Sequence, residues 1–239
     1  MNFSGKVVLV ADVGSAVGSA ITNDLIEAGA TILAVGEWRS DEARHLQDTS
    51  NIIDTGVAVL TKDTATPLAI FIRESIGKID SIILNNYAGP ILNPEVVADS
   101  YSLSVLDAFQ YLHPLLKDGS SIVLCPQIVE TSAPDVENRL DLAVAMLGLI
   151  AKHWANVLMA RDIRVNVVAP SMDHTLFHPT SATRSNESPQ NLATTQVVAN
   201  VLFMSSELSR PWTGTQLSLD GRLRSLSEFN DSILDNVGH

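Results

Sequence analysis

GKVVLVADVGSAVGSAI (residues 5–21) decides the architecture. Its first part, KVVLVA (6–11), is apolar at consecutive positions, as a strand covered on both faces must be. The pattern breaks at Asp12, carries glycines at 14 and 18, and continues as a helical stretch over 15–28. Strand, tight turn and helix in that order are the first unit of a pattern that runs down the chain. ATILAV (30–35), VAVL (57–60), SIILN (81–85), SSIVLC (120–125), IRVNVV (163–168) and TQLSL (215–219) read as the other strands. Helical stretches cover 41–48, 65–77, 95–117, 137–160 and 189–206. Such alternation predicts one α/β domain over 1–239, with a doubly wound, mainly parallel sheet inside a three-layer α/β/α sandwich.

The 239 residues are 46% hydrophobic and 18% charged, which excludes wholesale disorder and supplies one sizeable core. Fifteen basic residues stand against 27 acidic ones, for a net charge of −12. A surface that tracks phosphates needs the opposite sign, so no nucleic-acid partner is expected. The single cysteine, Cys125, allows neither an intramolecular disulfide nor a CxxC metal site. No stretch has the length of a bilayer span, and no basic run precedes an apolar one at the start, so a cytoplasmic protein is expected. SMDHTLFHPTSATRSNESPQ (171–190) is polar, Pro-containing and longer than an ordinary connection, and is expected to be a mobile or functional loop. Residues 222–239 read as a mostly polar tail.

LDLAVAMLGLIAKHWANVLMA (140–160) is apolar on nearly every side. A helix lying on a sheet with one face should show a wide polar stripe. Either this helix is deeply internal, or its second face is covered by another subunit. Doubly wound folds place helices outside the sheet, which favours the subunit contact.

GKVVLVADVGSAVGSAI, KIDSIILNNYAG (78–89), ARDIRVNVVAPSMDHT (160–175) and TGTQLSLDG (213–221) together resemble the short-chain dehydrogenase/reductase family over about residues 5–221. The resemblance implies a Rossmann-like fold with a dinucleotide on the first turn. The family's turn has the form TGxxxGxG, and its marked positions read here Ala11, Asp12, Ala16 and Gly18. Gly14 lies between the expected positions. Ala16 adds a methyl and Asp12 a negative charge where a pyrophosphate would approach a helix N-terminus. The candidate cofactor contacts are therefore Gly14, Gly18, Glu37 and Asn85, in a degenerate form of the site. Glu37 stands where an acid would bind the ribose hydroxyls of NAD and repel the extra phosphate of NADP. The family's adenine-contacting Asp falls on Leu60, with Asp63 beyond it, and Asn85 and Asn86, followed by Tyr87, resemble its NNAG segment.

The family's Ser, Tyr and Lys, the last two spaced YxxxK on one helix side, shuttle the substrate proton. Registered from the fifth strand, the serine falls on Gln127. Registered back from the sixth strand, the tyrosine falls on Leu140 and the lysine on Val144. Gln127 is neither acid nor base at neutral pH, and Leu140 and Val144 cannot exchange protons. Tyr87, Tyr101 and Tyr111 all precede the fifth strand, and none has a lysine four residues on. The family's helix-four Asn falls near Tyr101.

Asp173, His174 and His178 could suit a metal on a helix but sit in an irregular loop, so no metal is expected. Cys125 reads as a buried inert thiol, and His113, His153 and Trp154 as surface or packing residues. Asp12, His174 and Glu187 could form a new acid–base site, but nothing ties them together. The expected function is a catalytically degenerate subunit, binding no cofactor itself. It would pair through helices 95–117 and 137–160 with an active relative that holds NAD, or with a second copy of itself. Two alternatives remain: non-redox chemistry on the same fold (dehydration, cyclisation or dehalogenation), or a homomeric NAD-dependent reductase with relocated catalytic groups.

Overall fold

A computed structural model describes residues 1–38, 41–85, 109–126, 134–170 and 189–219. Seven strands form one parallel sheet: β1 Val7–Ala11, β2 Thr31–Val35, β3 Ile52–Asp54, β4 Ile79–Asn85, β5 Leu116–Cys125, β6 Arg164–Pro170 and β7 Gln216–Leu219. Their spatial order is β3-β2-β1-β4-β5-β6-β7. The described helices are α1 Ala16–Glu27, α2 Asp41–Gln47, α3 Lys62–Ser75, α4 Pro134–Leu158 and α5 Pro189–Ser205. The chain starts mid-sheet, winds outward to β3, then crosses to β4 and winds to the other edge. The winding reverses between β1 and β4, where a doubly wound sheet opens a crevice at its strand C-termini.

Period-two alternation splits every central strand between two cores. Leu9, Ala11, Leu33, Val35, Ile82, Leu84, Ile122, Leu124, Val165 and Val167 face one layer, with α3 and α4. Val8, Val10, Ile32, Ala34, Ile83, Val123, Cys125 and Val168 face the other, with α1 and α5. This double burial is why the strands read as continuous apolar runs.

Two expected elements are corrected. The third strand is Ile52–Asp54 rather than 57–60. Past Gly56, at φ 68°, only the Gly36 N–H to Val57 carbonyl bond (2.8 Å) continues the pairing, and Val59 is exposed. The expected helix over 95–117 runs too far. Residues 113–115 form a 3-10 turn and β5 begins at Leu116, while 86–108 lie outside the described residues. Leu115 and Leu116 are both buried, and that pair read as a helical face. α3 starts three residues earlier than expected because Thr61 and Thr64 form a reciprocal cap.

α4 is not deeply internal. Leu147, Ala151, Ala155 and Leu158 are buried toward the sheet, and Gly148 lets the helix close on Gln216 of β7. On the opposite side Leu149 is 67% and Val157 53% exposed, beside exposed Lys152 and His153. Among the described residues no helix is long and apolar enough to cross a membrane.

Candidate cofactor turn and catalytic positions

β1 delivers the chain to the crevice at Ala11, and the next residue, Asp12, adopts φ 58°. That left-handed conformation favours glycine and strains an L-residue by about 1–2 kcal/mol, less for Asp than for most. Ser15 then closes the turn. Its Oγ accepts the Gly18 N–H (3.0 Å) and an Asn85 Nδ2 hydrogen (3.2 Å), and donates to the Asp12 carbonyl (3.0 Å). One hydroxyl thus ties β1, α1 and β4 together and occupies a backbone donor of the helix N-terminus.

Gly18 is required by packing. A Cβ there would lie on the Asp12 carbonyl oxygen and 2.9 Å from Asn85 Nδ2. Gly36, at φ 139°, is equally constrained, since its Cβ would meet the Val13 nitrogen at 2.9 Å. Gly14 is buried in the turn and Ala16 is exposed at the first position of α1. Asn85 is fully buried, with its Oδ1 unpartnered. The turn therefore keeps the shape of an anion site while carrying a carboxylate of the ligand's own sign. A like charge brought to about 4 Å of that carboxylate would cost roughly 1 kcal/mol in water and about 4 at intermediate dielectric. The helix dipole returns only about 0.3–1 kcal/mol.

Glu37 is exposed at the end of β2. Next to it, Trp38 donates its indole N–H to Asp54 (2.8 Å), which also accepts from Gln47 (3.0 Å) and the Gly56 N–H (2.9 Å). Burial works to raise the Asp54 pKa, but these bonds from Gly56, Trp38 and Gln47 hold it below the usual carboxylate value. Sequence reasoning missed this cluster because its members are up to 18 positions apart. It missed Ser15 too, although a Ser just ahead of a helix is a capping signal. Leu60 is buried in the α3/α4 core rather than turned to the crevice, and Asp63 is exposed in the first turn of α3.

Val144 is partly buried on α4, packed against the α3/α4 core. Leu140 lies one turn earlier on the same helix. Gln127, Asn86, Tyr87, Tyr101, Asp173, His174, His178 and Glu187 lie outside the described residues, as do 171–188 of the expected loop and the tail 222–239. Tyr111 packs against the α3/α4 core. Cys125 is buried, and burial pushes its thiol pKa up to about 12, so it is no nucleophile. Trp154 stacks on Phe109 (centroids 4.8 Å apart) with His113 tilted against it, which makes His113 and Trp154 packing residues, while His153 is exposed. Among the described residues no three His, Cys, Asp or Glu side chains group as metal ligands.

Parallel strands wound about a switch point, with a glycine-dependent turn at its mouth, define a Rossmann-like α/β protein of the dehydrogenase type. Residues 13–222 match the family described as enoyl-(acyl carrier protein) reductase, and the chain belongs to that family, within the short-chain dehydrogenases/reductases. It is 24% identical over 247 residues to the 3-oxoacyl-[acyl-carrier-protein] reductase FabG of Thermotoga maritima, covering 93% of this chain and 99% of that one. The Escherichia coli protein of the same name is 26% identical over 249 residues, covering 92% and 98%. A short-chain dehydrogenase/reductase of Serratia marcescens shares the fold, with TM-score 0.69 at 17% identity over 94% of this chain and all of that one.

Proposed function

We propose that this chain does not itself transfer hydride. It serves as the structural partner of a hydride-transferring relative in a cytoplasmic hetero-oligomer, with NAD held by the relative. The observation that carries the reading is Val144. Its isopropyl group packs against the apolar core, and the resemblance assigns this position to the lysine whose ammonium would lower the pKa of a tyrosine and hold a ribose. Leu140, one turn before, has no proton to give. Asp12 is an independent support, because its charge opposes a pyrophosphate at the first turn. The residues of that turn do not fit a dinucleotide. Exposed Leu149 and Val157, beside exposed Lys152 and His153, give α4 a mixed outward side that a subunit contact would cover.

The test is purification from the native host with mass determination, followed by calorimetric titration of the isolated chain with NAD. A mixed dimer or tetramer, no NAD heat from the isolated chain, and a partner weakened when alone are expected. A homo-oligomer beside a neighbouring relative that is fully active alone would refute it.

A second reading is favoured by the relatives' names: an NAD-dependent reductase acting on 3-oxoacyl thioesters with relocated catalytic groups. Turnover of such a thioester with NADH by the isolated chain would establish it and displace the first.

A further inference from the structure

The end of the sheet opposite the first turn holds a cavity of about 180 Å³, room for roughly six water molecules. It lies where β1, β4, β5 and β6 begin, closed by the turn after α5. Lys6, Lys117, Arg164 and Arg210 line it, with the carboxylates Asp80, Asp118 and Glu207. Asp118 is committed to Arg161 (2.9 Å), a cation outside the lining. Asp80 meets Lys6 (3.5 Å) and Lys117 (2.8 Å), and Glu207 meets Lys6 (3.6 Å) and Arg210 (3.5 Å). Two lining carboxylates are thus left to balance four lining cations, with Asp162 acting on Arg164 from outside the lining.

Arg164 is the least compensated. It is 5% exposed, and its bonds run to the Met204 carbonyl (2.9 Å), the Ser206 carbonyl (3.1 Å) and the Ser209 hydroxyl, all neutral oxygens. Its Nε–H and one Nη2 hydrogen take no part in these bonds. Burial pulls its pKa down, against the fields of Glu207 and Asp162. The partial negative charge at the C-terminus of α5 offsets only a fraction of the guanidinium charge. Ser205, also lining the cavity, is 8% exposed and its Oγ has no partner. The buried Ser205 hydroxyl lacks a partner, and the cavity it lines carries more positive than negative charge, which suits an anionic acceptor.

We propose that this cavity, between Arg164 and Ser205 inside and Lys117 and Arg210 at its rim, is a binding site for a small phosphate-type oxyanion. The anion is either free phosphate or the phosphate group of a small ester, and the site stands apart from the dinucleotide turn.

The probes are inorganic phosphate, glycerol phosphate and chloride at matched ionic strength, read by thermal unfolding and amide NMR shifts of the full chain. The wild type is expected to gain several degrees of Tm with phosphate or its ester over chloride, with saturating shifts at Ser205 and Arg164. The larger response identifies the source. Ser205→Ala with Arg210→Gln should unfold normally in chloride and lose the phosphate-specific gain. Phosphate also stabilises proteins by general exclusion from their surface, and that gain would survive in the double variant. An equal gain in both proteins, or shifts that track ionic strength alone, overturns the proposal.

Discussion

Asp12 separates two effects at one position, backbone strain and charge. Asp12→Gly removes an L-residue from φ 58°. Relief of about 1–2 kcal/mol is offset by about 0.5–1 kcal/mol of extra glycine chain entropy. The net gain is about 0–1.5 kcal/mol, or a rise in Tm of about 0–6 °C at about 2–4 °C per kcal/mol for a chain of this size. Asp12→Asn keeps a residue that tolerates the left-handed region, so the backbone strain is unchanged. Both variants delete the charge. If the carboxylate is what turns a dinucleotide away, each should tighten NAD binding by about 1–4 kcal/mol, roughly 5-fold to roughly 10³-fold. The assay is calorimetric titration with NAD beside thermal unfolding of wild type and both variants. The Ser15 bond to the Asp12 carbonyl is to backbone and survives in each. Equal NAD affinity in wild type and Asp12→Asn, or an Asp12→Gly protein several degrees less stable than wild type, would refute the reasoning.

Gly18→Ala drives a methyl into the Asp12 carbonyl and Asn85, and should lower stability by about 3 kcal/mol, a drop in Tm of roughly 6 °C or more, measured by calorimetry. Asn166→Leu removes the acceptor of the Thr215 N–H (3.1 Å) and the donor to the Trp212 carbonyl (2.8 Å), and should cost about 2–4 kcal/mol in urea unfolding. Val144→Lys should cost about 1–2 kcal/mol in the same assay, while a neutral result would mean that the position opens onto a polar site. Burial, and then the Arg161 charge, lower the pKa of His113 below 6.5, so the fold prefers it neutral. The unfolded chain takes up the proton first as pH falls, so stability contributed by His113 is complete above pH 6.5 and is lost from there down to its folded pKa. His113→Gln should flatten that part of the stability–pH curve, measured by urea midpoints from pH 7.5 to 5.

The strand–helix order was legible because both faces of β1, β2, β4, β5 and β6 are buried, which leaves unbroken apolar runs in the sequence. VAVL (57–60) imitates such a run, yet Gly56 turns the chain away and Val59 reaches solvent, while the true β3 is only three residues long. The positions of Gly18 and Asn85 could be read locally because one lies in the first helical turn after β1 and the other at the end of β4. What Ser15 does could not, since its bond to Asn85 spans 70 positions. The Trp38–Asp54–Gln47 cluster and the Arg164–Ser209 contact are likewise products of tertiary packing. Spacing does not encode them.

A physical division runs through the family landmarks of this chain. Gly18 and Gly36 cannot accept a side chain, Asn85 braces the Ser15 cap, and Asn166 staples β6 to the segment before β7. Each is demanded by the packing whether or not a nucleotide ever arrives, so each would persist in a protein selected only to fold. The positions that the resemblance assigns to the family's tyrosine and lysine carry no such demand. A partly buried helix side chain at 144 contributes more to stability as valine than it would as lysine. Similarity of 24–26% to acyl-carrier-protein reductases is consistent with retention of scaffold positions alone. Resemblance at that level reports the architecture, while the chemistry of the proposed reading rests on Asp12 in the first turn and on Val144 packed against the α3/α4 core.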